Sequence, residues 1–216
     1  MQVRTITVER EYGSGGALIA RRLAEHLGWK LWDEQLTAEI ARIAKVDQRA
    51  ARLCDERVDP LIYRLFRVFA RGSYERALPL EGVSSRFDAD QMVAMLQEVI
   101  EDVASRRNCV IVGRGAPYIL RNHSDAFHVF IYAPRDEKIR RIKTLGKTEK
   151  EAAQLVAEVD AERASFIRHY FGAEWPCRAL YNAMINSKFG DEYVIEMILQ
   201  HVDALEKLHT PQPAHL

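Results

Sequence analysis

Hydrophobic positions along the chain alternate between short apolar runs and helical patterns. The apolar runs are typical of strands buried in a parallel sheet, and they lie at residues 3–8, 30–33, 109–112, 125–134 and 183–185. Apolar residues recur at helical spacing over residues 17–27, 90–107, 135–168 with a break near Gly146, and 191–208. At the start of the chain a strand, a glycine-rich turn, a helix and a second strand follow one another, which is typical of a βαβ unit. The pattern therefore predicts a three-layer, doubly wound α/β fold around a five-stranded parallel sheet.

Residues 34–107 interrupt this alternation because they carry no strand signal. Helix-forming residues dominate 36–74, a looser stretch follows, and the helix predicted for 90–107 closes the segment. We interpret 34–107 as a helical insertion that caps the sheet within a single domain, 1–208. The tail 209–216 is expected to be flexible.

Composition excludes several classes of protein. Hydrophobic residues make up 48% of the 216 and charged residues 29%, as in an ordinary globular protein. Lys plus Arg and Asp plus Glu both number 31, and this balance argues against a nucleic-acid-binding face. The 3 cysteines are far apart, which suits free thiols in a reducing compartment. With no signal-peptide pattern and no apolar stretch of membrane length, we expect a cytoplasmic protein without nucleic-acid or membrane partners.

The turn after the first strand has the composition of a phosphate-binding loop. Glycine lets backbone N–H groups approach an anion, and the N-terminus of the following helix favours negative charge. The P-loop pattern would add a lysine and then a hydroxyl residue at the helix start, and this chain has neither. A plain strand-to-helix connection is the alternative interpretation. We predict that the turn binds nucleotide phosphates through Tyr12, Gly13, Ser14, Gly15, Gly16 and Ala17.

Two further candidates lie at carboxyl ends of predicted strands, where open α/β sheets bind ligands. Asp33 either caps the next helix or contacts a substrate or a metal-bound water. Arg114 lies between Gly113 and Gly115, and a phosphate contact is the favoured interpretation because no local residue pairs with it. The basic run after Pro134 is mostly a solvated helix face. The seven histidines show no metal-ligand spacing, so the metal ligands stay undetermined.

A family resemblance covers roughly residues 3–199. The chain resembles the bacterial cytidylate-kinase-like proteins, relatives of cytidylate kinase within the nucleoside monophosphate kinase fold. Five segments carry the resemblance in order: TITVEREYGSGGALIARRLAEHLGWKLWD, CVIVGRGAPYIL, HVFIYAP, VDAERASFIRHYFGAEW and YNAMINSKFG. It implies a core made of 1–33, 108–142 and 166–208, an acceptor-binding insertion at 34–107 and a lid-like segment at 143–165.

The resemblance also implies where ligands bind. Mg²⁺ with ATP is the expected donor, its phosphates lying at the glycine turn and its base near Asn186, Ser187 and Lys188. A small phosphate acceptor such as a nucleoside monophosphate would lie against the lid and a set of five residues. These are Asp33, the Gly113–Arg114 pair, and a D-x-x-R pair formed by Asp160 and Arg163. From the spacing alone, Asp160 and Arg163 would form an ordinary helical ion pair. The oligomeric expectation is a monomer or a homodimer.

Departures from the family pattern concern positive charge. Gly15 falls where the P-loop lysine belongs, Ala17 falls where a magnesium-binding hydroxyl or the family's arginine belongs, and Val112 replaces an aspartate. A charge-assisted hydrogen bond is worth about 1.5–3 kcal/mol, so the missing lysine costs roughly one to two orders of magnitude in rate. Arginines are the available replacements. The candidates are Arg10 and Arg114 as catalytic cations, with Arg140 or Arg141 arriving on the lid side.

We therefore expect a phosphotransferase that moves the γ-phosphoryl group of ATP to a small acceptor. Three alternatives stay open. The chain could be a nucleotide-binding sensor or scaffold without catalysis, a kinase of a different small molecule, or an interaction module that uses the helical insertion. Replacing Arg114 with alanine is expected to abolish activity and leave folding intact.

Overall fold

A computed structural model of the chain describes residues 2–33, 36 and 89–208. Its strands are β1 (Thr5–Arg10), β2 (Lys30–Trp32), β3 (Cys109–Val112), β4 (Ala126–Tyr132) and β5 (Ala183–Asn186). Its helices are α1 (Gly16–Leu27), α2 (Ala89–Ser105), α3 (Ala116–Ile119), α4 (Arg135–Lys143), α5 (Glu149–Phe171) and α6 (Asp191–Leu208), with 3₁₀ turns at Arg178–Leu180 and Ser187–Phe189. The helices predicted for 36–74, the looser stretch after them and the tail 209–216 lie outside the described residues, apart from Leu36.

The five strands form one parallel sheet in the order β2-β3-β1-β4-β5. The first strand is therefore central and has a neighbour on each side. The apolar runs and helical periodicity predicted this arrangement, and the doubly wound α/β fold is confirmed. Because all strands run in one direction, their carboxyl ends share one edge, and the glycine turn lies at the middle of it.

Helices cover both faces of the sheet. On one face Ile19 and Leu23 of α1 pack with Val194 and Ile198 of α6 against buried strand residues. On the other face a second cluster surrounds Ile111. It contains residues of α2 and α5, together with Ala116 and Tyr118 of α3 and Leu120, which directly follows α3. Two buried faces explain why the strands read as continuous apolar runs instead of alternating patterns.

Strand β1 extends two residues further than the hydrophobic pattern predicts. Glu9 and Arg10 pair in register with Phe130 and Ile131 of β4, although their side chains are charged. Both are nevertheless buried. The helical stretch beyond Pro134 breaks as predicted, because Gly146 has a positive φ of 82° and Thr148 begins α5 with a capping box.

A buried histidine joins the central strand β1 to its neighbour β4. The His128 ring nitrogen Nδ1 lies 2.7 Å from the Thr7 hydroxyl oxygen, and both residues are buried. Burial, with a smaller effect of the nearby His123, lowers the pKa of His128 from an ordinary value of 6.5 to about 4. The folded protein thus keeps this ring neutral at pH values where the unfolded chain protonates it.

We expect His128 to make folding pH-dependent. Below pH 6.5 His128 binds a proton in the unfolded chain, whereas in the folded protein it stays neutral until about pH 4. The free energy of unfolding therefore falls as the pH drops through that window. The loss reaches about 3 kcal/mol. Urea unfolding at several pH values measures it. His128→Asn should be less stable near neutrality but show a flatter profile, whereas His26→Gln, at an exposed site, should keep the wild-type slope. Equal slopes for all three proteins would contradict this role of His128.

Candidate active site at the glycine turn

The glycine turn is packed so closely that three of its positions exclude a side chain. Gly13 and Gly15 have φ values of 79° and 81°, a conformation that favours glycine. A Cβ atom at Gly13 would lie 2.9 Å from the Lys138 carbonyl oxygen, and one at Gly16 would lie 2.6 Å from the Arg10 Cβ. Gly15 is the N-cap of α1, and no side chain forms a capping hydrogen bond there. This arrangement suits an anion held by amides and the helix dipole.

Serine side chains fix the shape of the turn. The buried Ser14 hydroxyl donates to the Glu11 carbonyl oxygen at 2.8 Å, and the buried Ser187 hydroxyl donates to the Ser14 carbonyl oxygen at 2.7 Å. Of the three residues predicted to line the donor base, Ser187 therefore contacts the turn itself. The Asn186 side chain accepts a bond from the Lys188 amide, and the Lys188 side chain is exposed.

The D-x-x-R pair of α5 binds the backbone on which the turn begins. Arg163 donates from Nη1 to the Arg10 carbonyl oxygen at 2.8 Å, and the Tyr12 amide donates to Asp160 Oδ1 at 2.7 Å. The two side chains also pair with each other at 3.4 Å. Burial, with a smaller effect of the Arg10 charge, lowers the pKa of Arg163 to about 10, so it stays charged at neutral pH. The pair is thus more than a surface helical ion pair.

Lys138 connects the Asp160 carboxylate to that of Glu11, and the sequence did not predict this role. Its Nζ lies 3.0 Å from Glu11 Oε2 and 3.1 Å from Asp160 Oδ2, and the residue is buried. It belongs to the basic run that we interpreted as mostly solvated. Lys138 differs from the solvated residues of this run because its turn of α4 packs against Gly13. The sequence contains no pattern that predicts this burial.

Asp33 and Arg114 bind each other across the sheet edge. Arg114 Nη1 lies 2.9 Å from Asp33 Oδ1 and donates to the Val112 carbonyl oxygen at 2.9 Å. The Arg114 side chain is 2% exposed and the Asp33 side chain 6%. Burial lowers the pKa of Arg114, and the Asp33 carboxylate opposes that shift. Arg114 thus has a partner distant in sequence, and its own backbone lies at a positive φ of 58° between two glycines.

Three buried arginines meet beside the turn. Arg10, Arg114 and Arg163 line one small cavity together with Glu9, Gly115 and the apolar residues Phe166, Ile167 and Trp175. Glu9 Oε1 lies 3.7 Å from Arg10 Nη1. The cavity volume of about 20 Å³ holds roughly one water molecule. A phosphate group would therefore bind at its rim or require the side chains to move.

The two arginines predicted for the lid side lie in different places. Arg141 pairs with Asp191, the first residue of α6, with Nη2 2.6 Å from Oδ1. Its guanidinium lies against Gly15. Arg140 is exposed and pairs with Glu137 on its own helix. The structure thus brings Arg141 to the glycine turn and places Arg140 on the outer side of α4.

Comparison with known proteins assigns the family. The model of the Cytidylate kinase-like family matches residues 5–188, which include the glycine turn and each residue of the candidate site described above except Asp191. The chain belongs to the cytidylate kinase-like family. A cytidylate kinase from Methanosarcina mazei is 25% identical over 145 residues, covering 64% of this chain and 79% of that protein. The predicted family resemblance is confirmed.

Solved structures share the fold. An uncharacterised protein from Eubacterium ventriosum superposes with a TM-score of 0.66 at 23% identity, covering 94% of this chain and 99% of its own. A gluconokinase from Sinorhizobium meliloti gives 0.52 at 16% identity, with 97% and 98% covered. A shikimate kinase from Acinetobacter baumannii gives 0.51 at 17%, with 94% of both chains covered. At these identities the likeness shows the α/β fold alone.

Neither a metal-ligand cluster nor a membrane-spanning helix is found among residues 2–33, 36 and 89–208. Within those ranges no three His, Cys, Asp or Glu side chains gather as metal ligands. Nor does any helix there combine the length and apolar character that a membrane crossing requires.

The buried Asp33–Arg114 pair changes the expected effect of removing either partner. Asp33→Ala leaves a buried guanidinium without its carboxylate, so we expect a loss of about 3–5 kcal/mol in unfolding free energy. Arg114→Ala should destabilise the fold similarly, in contrast to the sequence-based expectation of intact folding. Denaturant unfolding measures both. Asp102→Ala, which breaks the exposed Asp102–Arg106 pair, should cost less than about 1 kcal/mol. A cost for Asp33→Ala as small as the control's would refute a structural role of the pair.

Proposed function

We propose that the protein transfers the γ-phosphoryl group of ATP to a nucleoside monophosphate. One observation carries the proposal most strongly: three buried guanidinium groups, from Arg10, Arg114 and Arg163, converge next to a glycine turn at the sheet edge. Buried charges are costly to keep and cluster at functional sites. Membership of the cytidylate kinase-like family, and the similarity to the cytidylate kinase of Methanosarcina mazei, make cytidylate the first acceptor to test.

Phosphoryl transfer requires positioning and neutralisation of charge more than covalent chemistry. In our proposal the backbone from Tyr12 to Ala17 holds the donor phosphates, with the N-terminus of α1 behind them. Arg10 and Arg114 neutralise the transferring group from the side of the cavity. Asp33 and Gly113 face the acceptor together with the D-x-x-R pair of α5. The donor base lies beside Asn186, Ser187 and Lys188.

Arg10 and Arg163 would act as one unit. Arg163 donates to the Arg10 carbonyl oxygen at 2.8 Å. The Arg10 side chain passes two glycines: a Cβ atom added to Gly16 would lie 2.6 Å from the Arg10 Cβ, and one added to Gly113 would lie 1.9 Å from the Arg10 Nη1. The Arg10 guanidinium thus reaches from β1 to the end of β3. In this way it would link the donor side of the site to the acceptor side.

A magnesium ion arriving with ATP fits the residues at this edge. Mg²⁺ keeps several waters and is held by one or two carboxylates plus the phosphates, so it needs no dedicated cage of protein ligands. Glu9 is buried at the end of β1 beside the arginine cluster, and Asp33 lies at the end of β2. These two carboxylates would bind the ion or its waters. The ion would neutralise phosphate charge during transfer.

A second candidate function is nucleotide binding without transfer. The observation that favours it is the bonding of Arg114, whose Nη1 already contacts both Asp33 and the Val112 carbonyl. A guanidinium held in this way has fewer donors for a phosphate. A kinase of another small molecule, the alternative that the sequence left open, is a third candidate.

An ADP-release screen tests the proposal. We expect Mg-ATP with cytidylate, or another nucleoside monophosphate, to release ADP and to form the matching diphosphate. Arg10→Met keeps the side-chain volume but removes the charge, so turnover should fall about 10- to 100-fold. Arg106→Ala, at an exposed position directly after the C-terminus of α2, is the control and should retain wild-type turnover.

The same screen separates the alternatives. ATP binding with no diphosphate formed from any monophosphate would favour the nucleotide-binding protein. A shift in melting temperature with a different class of acceptor would favour the other kinase. Absence of any nucleotide-induced shift would rule out both phosphotransfer proposals.

A further inference from the structure

We infer that Arg141, held in place by Asp191, supplies to the donor phosphates the positive charge that the glycine turn lacks. This inference rests on the proposed function, since it assigns a residue to the donor half of the same site. Asp191 acts through Arg141 and is a positioning residue. Neither the lysine of the P-loop pattern nor the family's arginine at position 17 is present in this chain.

The space beside Gly15 is the first part of the argument. A Cβ atom built on Gly15 would lie 2.2 Å from Arg141 Nη1, 2.8 Å from Cζ and 3.4 Å from Nη2. The Arg141 guanidinium therefore occupies the place where a side chain of residue 15 would begin. Gly15 also has a φ of 81°, which disfavours any residue with a Cβ. A lysine at this position would require the Arg141 guanidinium to move.

The orientation of the guanidinium is the second part. Nη2 is bonded to Asp191 Oδ1 at 2.6 Å, while Nη1 is the nitrogen closest to the Gly15 position. Arginine presents several donors in a rigid plane, so one edge can bind a carboxylate while the other faces an anion. One edge of Arg141 is thus tethered to α6, and the other faces the N-cap of α1.

Burial shows that the tether is more than a surface contact. The Asp191 side chain is 14% exposed and the Arg141 side chain 31%. Asp191 lies in the first turn of α6, where the helix dipole favours its negative charge. An arginine already fixed by such a partner loses less side-chain freedom when it binds a phosphate. Arg141 therefore retains enough accessible surface for a ligand and is pre-oriented towards it.

Direct binding of phosphate compounds tests the inference. We would measure the affinity of the intact chain for Mg-ATP and for inorganic triphosphate by calorimetry. Arg141→Ala should weaken both about 10- to 100-fold, because the contact is to phosphate and is independent of the base. Asp191→Asn should weaken them by a smaller factor. The double variant should be no weaker than Arg141→Ala, since the two residues act through one contact.

Arg22 and Glu192 provide a matched control pair. They join α1 to α6 with the same 2.6 Å separation, one residue further along α6, but both are more exposed. Arg22→Ala and Glu192→Gln should leave both affinities within twofold of wild type. In turnover assays Arg141→Ala and Asp191→Asn should raise KM for ATP and leave KM for the acceptor unchanged. A structural role alone would not produce this split.

The outcomes are distinguishable. If the wild-type chain binds Mg-ATP and Arg141→Ala binds it as tightly as Arg22→Ala does, the inference is overturned and the proposed function stands. If Arg141→Ala has a lower melting temperature than the wild type, the KM values of Asp191→Asn provide the test instead. An unchanged KM for ATP in Asp191→Asn then overturns the inference. If the wild-type chain binds neither Mg-ATP nor triphosphate, the proposed function and the inference both fall.

Discussion

Close packing against the glycines of the turn is the constraint on which the site depends. The carbonyl of Lys138, the guanidinium of Arg141 and the aliphatic part of Arg10 each approach a different glycine so closely that an added Cβ would collide with it. Helix α4 therefore packs directly on backbone. Because the glycines of the turn carry no side chains, neighbouring elements bring their charges to it, and no side chain caps the amides at the N-terminus of α1.

Charge balance sets the second condition. Arg10, Arg114 and Arg163 are each about 95% buried, and the carboxylates of Glu9, Asp33 and Asp160 accompany them. An apolar cluster of the same volume would often be at least as stable as buried ion pairs. The arrangement is better explained by chemistry at this edge than by stability. It also means that variants here change folding and binding together, so stability must be measured beside activity for every substitution in the cluster.

The sequence predicted the framework and much of the site because both depend on local patterns. Strand β3 and helix α6 have the bounds that periodicity assigns to them, and the glycine turn is visible from composition alone. The partners within the site were not predictable in this way. Asp33 and Arg114 are 81 positions apart, and Tyr12 and Asp160 are 148 apart. Such pairs are set by the strand order β2-β3-β1-β4, which no local pattern encodes. The family resemblance supplied the residues without their partners.

The absence of the P-loop lysine illustrates the same distinction. A motif records which residue type occupies a position, but a phosphate experiences only the charge and the donors that surround it. In this fold the position next to Gly15 can be reached from α4, and α6 begins near enough to hold the arriving guanidinium through Asp191. In the site that we propose, the charge that the turn does not carry in its own sequence comes from residues more than a hundred positions later. Departure from the motif is therefore weak evidence against phosphate chemistry, because the Arg141 guanidinium lies in the space that glycine leaves open at position 15.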